Sequence, residues 1–139
     1  MSANTTTVNR FFELFGRQHD LDAVEECFAP GAIVHFHDMP AMPYMAYKQV
    51  GAMYLGAFPD MGVVIEDQFE AGDKVVTRVV WSGTQTGPLM SIPPTGKPIL
   101  NNELCVDRMV GGKIAERWQI SDSLSLMQQL GVIPAPEGM

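Results

Sequence analysis

Several features are scarce in this sequence, and each excludes a class of protein. The 139 residues include only two cysteines, Cys27 and Cys105, which are too few and too far apart for a disulfide scaffold or a cysteine-based metal site. Lysine and arginine total 9 against 16 aspartates and glutamates, which gives a net charge of −7, and no basic run is present. Because nucleic acid and anionic membrane surfaces repel such a chain, neither is expected as a partner.

Long apolar runs and targeting signals are also missing. No stretch approaches the roughly 18 to 20 apolar residues that a membrane span needs. Residues 1–7 are polar and lack the basic and apolar regions of a secretory signal. With so few cysteines, the sequence indicates a reduced, cytoplasmic protein.

The composition is that of one globular domain spanning residues 1–139. Apolar residues make up 46% of the chain and charged residues 18%. Ten methionines are present, which is a high number. Because methionine is flexible and polarizable, these residues fit either a plain core or a pocket shaped for a large apolar ligand.

Hydrophobic spacing and turn residues predict an α+β fold. Helices are expected at 5–16, in a short segment capped by Asp20, at 44–58 and at 123–130. Strands are expected at 32–37, 62–71, 73–86, 97–110 and 113–121. This order predicts a strongly curved, mixed or antiparallel sheet wrapped around the N-terminal helices. Its cone-shaped interior would hold either side chains or a small molecule.

Motifs along the chain resemble those of the SnoaL-like polyketide (ester) cyclase family. The segments, in chain order, are Ala-Phe-Pro-Asp at 57–60, Ala-Gly-Asp-Lys-Val at 71–75, Gly-Thr-Gln-Thr-Gly at 83–87, Ile-Pro-Pro-Thr-Gly at 92–96 and Gly-Lys-Ile-Ala-Glu-Arg-Trp at 112–118. The resemblance spans about residues 8–134. It implies the cone-shaped fold of the nuclear-transport-factor-2-like (cystatin-like) superfamily, and a homodimer or higher homo-oligomer.

The same resemblance implies an intramolecular aldol condensation without metal or organic cofactor. In the family a carboxylate base follows the tryptophan of the last strand and a histidine precedes it, but this chain has Gln119 and Arg117 there. Gln85 likewise replaces a histidine that the family favours. These groups do not titrate near neutral pH, so the family's usual mechanism does not carry over unchanged.

The turn at 110–112 determines which residues of the last two strands face the interior. A three-residue loop pairs Met109 with Lys113, whereas a two-residue loop shifts the register by one. We prefer the three-residue loop because it groups the family's active positions on one face. It places Cys105 opposite Arg117 and Glu103 opposite Gln119. Arg117 would then pair diagonally with Glu103, either as an anion clamp or as a structural ion pair.

These patterns suggest the catalytic residues. His35 or Glu103 is expected as the base, and Arg117, Gln119 and Tyr47 as groups that stabilise an oxyanion. Asp122 is either an alternative base or a helix cap, and the cap is favoured. The expected substrate-binding residues, for which a place in the core is the alternative, are Phe11, Phe15, Met53, Tyr54, Trp81, Gln85 and Cys105.

A metal site from His35 and His37, with Asp38 as a third ligand, is a weak alternative, and no metal is expected. The leading hypothesis is a cofactor-free enzyme. It would remove a proton beside a carbonyl of an apolar, polyketide-like substrate and so cyclise or isomerise it, or eliminate from it. A binding protein that uses the same pocket without chemistry is the second hypothesis. An epoxide hydrolase using Glu103, Gln119 and Arg117 is the third.

Overall fold

The computed structural model of the protein describes residues 2–36 and 39–135. Its helices are α1 (Ala3–Phe11), α2 (Ala23–Cys27), α3 (Tyr44–Ala57) and α4 (Ser123–Gln129), and a π-helical segment, Phe12–Arg17, continues α1. Its strands are β1 (Phe28–Phe36), β2 (Met42–Pro43), β3 (Gly62–Ala71), β4 (Lys74–Thr84), β5 (Pro98–Val110) and β6 (Lys113–Ser121). The predicted α+β order is confirmed.

The six strands form one mixed sheet in the order β2-β1-β6-β5-β4-β3. β1 runs parallel to β6, and every other neighbouring pair is antiparallel. Register shifts interrupt the β1–β6, β3–β4 and β5–β6 pairs. Because such irregularities bend and twist strands, they curve the sheet around the N-terminal helices.

The β5–β6 hairpin differs from the predicted one in its pairing but not in its faces. Its loop has two residues, Gly111 and Gly112, whose φ angles of 58° and 76° suit a tight turn that only glycine adopts easily. Val110 pairs with Lys113 and Met109 with Ile114, so the predicted Met109–Lys113 pair is wrong. Ala115 is an extra residue on β6, which restores the alternation that the shorter loop would have reversed.

As a result, Cys105 pairs with Gln119 and Glu103 with Ser121. The predicted pairs Cys105–Arg117 and Glu103–Gln119 are therefore wrong by two residues. A shift of two residues leaves every side chain on its predicted face. Glu103, Cys105, Arg117 and Gln119 are buried, which confirms that they share the inner face of the sheet, whereas Leu104 on the other face is 43% exposed.

The N-terminal helices pack against the inner face of the sheet through aromatic side chains. Phe11 and Phe12 are 1% exposed, and Phe15 and Trp81 meet edge to face with ring centroids 6.0 Å apart. Gly16 allows this close packing, because a Cβ there would lie 2.5 Å from Cγ1 of Val63. The π-helical segment thus lies directly on β3.

The outer face of the sheet carries large apolar residues that are more than half exposed, namely Val64, Phe69, Leu100 and Ile120. Clusters of this kind are typical of protein contacts. The homodimer or higher homo-oligomer that the resemblance implies stays a prediction. Among the described residues, no helix has both the length and the apolar character to cross a bilayer.

Candidate active site

A cavity lies between the helices and the inner face of β4, β5 and β6. The space open to the centres of water-sized spheres is about 80 Å³, several times the roughly 10 to 15 Å³ that one water needs. Its walls are mostly apolar and include Phe11, Phe15, Phe36, Tyr54, Phe58 and Trp81. Polar side chains reach it mainly from β5 and β6: Asn101, Glu103, Gln119 and Ser121.

Glu103 is the carboxylate of this cavity, and four side chains donate hydrogen bonds to it. Nε1 of Trp81 lies 2.9 Å from Oε1, and the Sγ of Cys105 lies 3.5 Å from the same oxygen. Nε2 of Gln119 and Oγ of Ser121 lie 2.6 and 2.8 Å from Oε2. All four bonds run towards the Glu103 side chain, whose two oxygens accept them. Because a thiol is a weak donor, the bond from Trp81 is the strong one of the two that these side chains donate to Oε1.

The orientation of the Gln119 amide is fixed from the opposite side. The hydroxyl of Tyr47 donates to Oε1 of Gln119 and accepts from Nη1 of Arg117 at 3.2 Å. Arg117 is a donor only, so the Tyr47 proton must point at Gln119. The amide NH₂ of Gln119 therefore faces Glu103. One of its two N–H groups binds that carboxylate, and the Gln119 side chain forms part of the cavity wall.

Arg117 itself lies behind the cavity wall and pairs with Asp107. Nε and Nη2 of Arg117 lie 2.6 and 3.0 Å from Oδ1 and Oδ2 of Asp107, and both side chains are fully buried. The guanidinium also lies 4.4 Å from the ring centroid of Phe11. Burial is the largest influence and lowers the pKa of Arg117, but the Asp107 carboxylate together with Tyr47 and Cys105 more than compensates and raises the pKa. The predicted Glu103–Arg117 ion pair is thus wrong, because Asp107 is the partner.

Burial raises the pKa of both Tyr47 and Cys105, the two neutral acids of this network. It raises the pKa of Tyr47, although the nearby Arg117 opposes the shift. Burial and then the Glu103 carboxylate raise the pKa of the Cys105 thiol well above its usual value. Cys105 lies beside Glu103 but not on the cavity wall. It therefore acts as a buried donor and is not suited to nucleophilic attack.

His35 does not reach the cavity, which corrects the expectation that it lines it. It pairs with Trp118 across the parallel β1–β6 contact and stacks on that ring, with centroids 5.2 Å apart. Nε2 of His35 lies 2.7 Å from Oε2 of Glu116. The inward residues of β1 are its neighbours Val34 and Phe36, which are 0% and 6% exposed. His35 is therefore on the opposite face of the sheet from Glu103.

Three other predicted site residues lie away from the cavity. Asp122 is exposed and accepts from the backbone N–H of Ser125 at 3.0 Å, so the favoured interpretation as a helix cap is confirmed. Gln85 is fully buried and bonds Thr95 and the carbonyls of residues 92 and 93, which anchors the 87–96 loop. Met53 is half-buried on α3 and is not part of the cavity wall.

The predicted residues that do line the cavity are Phe11, Phe15, Tyr47, Tyr54, Trp81, Glu103 and Gln119. Asp107, Asn101 and Ser121 are inward-facing residues that were not predicted from the sequence. All three have the odd numbers that face inward on β5 and β6, so strand alternation alone could have identified them.

A metal site at His35 is the weak alternative that the sequence offers. His37 and Asp38, which that alternative combined with His35, lie outside the described residues. Within residues 2–36 and 39–135, no three side chains of histidine, cysteine, aspartate or glutamate converge on a metal position.

Comparisons with known proteins agree with this geometry. The family model for SnoaL-like polyketide cyclases matches residues 6–130. The aklanonic acid methyl ester cyclase DnrD of Streptomyces peucetius is 28% identical over 99% of this chain and 98% of its own length. Among solved structures, IdmH from Streptomyces antibioticus is 31% identical, with a TM-score of 0.81 over 92% of this chain and 98% of that one. A SnoaL-like protein from Jannaschia sp. CCS1 is 26% identical, with a TM-score of 0.85 over 95% of this chain and 94% of that one.

Proposed function

This chain belongs to the SnoaL-like polyketide cyclase family, and from that premise we propose that Glu103 makes it a cofactor-free cyclase of apolar, polyketide-like substrates. Family membership supports a cyclase function in general. The observation that carries the finer proposal is the Glu103–Gln119 pair: a carboxylate and an amide N–H, 2.6 Å apart, on the wall of an otherwise apolar cavity.

Glu103 is the base in the proposed step. Its Oε1 removes a proton from a carbon beside a substrate carbonyl, and the bonding electrons form an enolate. The enolate carbon attacks a second carbonyl of the same substrate and closes a ring. The resulting alkoxide then takes the proton back from Glu103. No proton or electron is gained or lost overall, so the product is an isomer of the substrate.

Gln119 stabilises the enolate oxygen in this proposal. Gln119 lines the cavity, and the N–H that does not bind Glu103 donates to the enolate oxygen in this proposal. Tyr47 and Arg117 act as positioning residues, because the hydrogen bonds from Arg117 to Tyr47 and from Tyr47 to Gln119 fix the amide. The chain of donors begins at a buried cation, which polarises each bond towards the cavity. A fixed donor of this kind favours the charge that develops on the enolate.

Glu103 supplies the carboxylate that this chain lacks at residue 119, where the family usually has its base. Residue 119 is a glutamine and cannot act as a base, but the carboxylate of Glu103 contacts that side chain directly. The carboxylate base of the site would therefore lie on β5 and the amide on β6. The apolar rings around the pair exclude water and suit an aromatic or polyketide-like substrate.

Aklanonic acid methyl ester, named for the relative DnrD, is the substrate with which to test the proposal. The purified protein should convert it into a cyclised isomer of the same mass, detected by chromatography and mass spectrometry. Glu103→Gln should lower the rate by roughly 10²- to 10⁴-fold, the usual contribution of a general base. Glu66→Gln, the same change at an exposed residue of β3, is the matched control and should keep the full rate. Full turnover by a folded Glu103→Gln protein would refute the assignment.

The binding-protein hypothesis keeps one observation in its favour. Four side chains donate hydrogen bonds to Glu103, and a carboxylate that is held in this way also suits a site that only binds. A ligand that raises the melting temperature and is recovered unchanged after incubation would support it. The epoxide hydrolase hypothesis needs Arg117 in the cavity, whereas Arg117 lies behind the wall with Asp107.

A further inference from the structure

Asn101 lies on the cavity wall with an oxygen that has no partner. Its side chain faces inward from β5, and the residue is only 7% exposed. Within residues 2–36 and 39–135, no donor bonds its Oδ1. Of the buried side-chain nitrogens and oxygens in that part of the chain, it is the one without a hydrogen-bond partner. A buried acceptor without a donor costs about 1 to 3 kcal/mol. Such an atom in a binding cavity calls for a partner from outside the protein.

The donor on the strand position opposite Asn101 binds another residue. Trp81 is the residue directly opposite Asn101 on β4. Its Nε1–H bonds the carboxylate of Glu103 at 2.9 Å and not the amide of Asn101. Along β5, the inward neighbours of Asn101 are Ile99, which is apolar, and Glu103, which accepts. The donor opposite Asn101 thus binds the base, and among residues 2–36 and 39–135 the Asn101 oxygen has no partner, although the residue lines the cavity.

We propose that Asn101 is a specificity-determining residue whose Oδ1 accepts a hydrogen bond from a hydroxyl group of the substrate. This inference rests on the proposed function, since it takes the cavity as the substrate site. Asn101 and Glu103 are two residues apart on one strand, so their Cα atoms lie about 7 Å apart. The hydroxyl therefore belongs to a different ring or arm of the substrate from the carbon that loses its proton. A phenolic, polyketide-like compound has both groups.

Two naphthalene derivatives test this without requiring turnover. 2-Naphthol carries a hydroxyl donor, and 2-methoxynaphthalene has the same ring system and oxygen but no donor. Isothermal titration calorimetry of the wild-type protein should give a Kd about tenfold lower for 2-naphthol, the upper range for one net hydrogen bond. In Asn101→Leu the two Kd values should agree within about twofold, since the acceptor is gone.

Two control measurements distinguish this role from hydroxyl binding by Glu103 and from a purely structural role of the amide. Glu103→Gln should keep the preference for 2-naphthol, which shows that the hydroxyl does not bind the carboxylate instead. Asn101→Leu should also leave the melting temperature of the free protein unchanged or higher, because it removes an unpaired polar group and not a structural bond.

The proposal is overturned if wild type shows no preference, if it binds neither compound, or if Asn101→Leu keeps the preference. A clear fall in the melting temperature of Asn101→Leu would also contradict it, because it would show a structural partner for the amide. The cyclase assay decides the proposed function separately. If the preference for 2-naphthol depends on Asn101 but Glu103→Gln keeps full turnover, Glu103 is not the base and Asn101 is still a binding residue.

Discussion

The buried ion pair between Asp107 and Arg117 gives the most quantitative prediction for stability. Replacing Asp107 with asparagine keeps the shape of the side chain but removes its charge. The guanidinium of Arg117, fully buried and 2.6 Å from Oδ1, is then left without a counter-ion. An uncompensated charge in such a place is one of the few single changes that destabilise a domain strongly.

The magnitude follows from what Arg117 keeps and what it loses. Breaking a buried pair by removing one partner costs about 3 to 5 kcal/mol. The ring of Phe11 lies 4.4 Å from the guanidinium in the wild type already, so this contact is common to both proteins and offsets none of the loss. Because asparagine keeps one oxygen that can accept from Arg117, we expect the lower end of the range, a loss of about 3 kcal/mol from the free energy of unfolding.

Urea unfolding followed by circular dichroism measures this loss. With a slope of about 2 kcal/mol per molar urea, usual for small domains, the midpoint should fall by about 1.5 M. Asp73→Asn is the matched control. Asp73 lies 3.6 Å from Lys74 in an exposed pair, and such pairs contribute at most about 1 kcal/mol.

A double variant completes the cycle. In Asp107→Asn/Arg117→Met the unpaired charge is gone, and most of the lost stability should return. The reasoning is refuted if Asp107→Asn costs less than about 1 kcal/mol, or if the double variant is no more stable than the single one. Either result would mean that the buried charge is not what makes the pair necessary.

The remaining predictions concern the carboxylate–amide pair and the thiols. The double variant Glu103→Gln/Gln119→Glu should recover at least about tenfold of the turnover that Glu103→Gln loses, since it exchanges two groups in direct contact; a double variant as inactive as the single one would contradict this. Burial raises the pKa of Cys27 to about 11, and Cys105 shifts in the same direction, so iodoacetamide should label both thiols in urea and neither in the native protein at neutral pH. Because the folded pKa of Cys27 exceeds its ordinary value of 9.0, the unfolded thiol ionises first. The free energy of unfolding should therefore fall as the pH rises from 9 towards 11, and the fall should be smaller in Cys27→Ala. Rapid native labelling, or an identical pH dependence in that variant, would count against burial as the cause.

Much of the architecture could be predicted from the sequence because the strands alternate clearly. The four long strands expected at 62–71, 73–86, 97–110 and 113–121 agree with β3 to β6 to within two residues at each end. The first strand is longer than expected and begins at Phe28, and Met42–Pro43 forms an additional short strand where a loop was expected. Both differences depend on pairing with a neighbour, which local spacing does not reveal.

The faces of β5 and β6 were predictable although their pairing was not. Alternation assigns Glu103 and Gln119 to one face for any register that differs by two residues. The extra residue at Ala115 has no signal in the sequence, because alanine is compatible with both a regular strand and a bulge. The inward-facing residues were therefore identified correctly, although the predicted pairing of the hairpin was wrong.

The partners of individual side chains were the least predictable part. His35 was expected in the cavity because histidine suits proton transfer, yet the parallel contact with β6 turns it to Trp118 and Glu116. Asp107 was overlooked as the partner of Arg117, although it lies on the same face as Glu103. In both cases the decisive fact is which strand lies alongside, and that is set by the whole fold.

The central claim is that Glu103 removes a proton from the substrate, and proton exchange measures this most directly. Aklanonic acid methyl ester in D₂O should exchange the hydrogen beside the reacting carbonyl, followed by NMR, at a rate that the wild-type protein and Glu66→Gln raise equally. Folded Glu103→Gln should lose roughly 10²- to 10⁴-fold of that rate. An exchange rate in Glu103→Gln equal to that of the wild type would contradict the account.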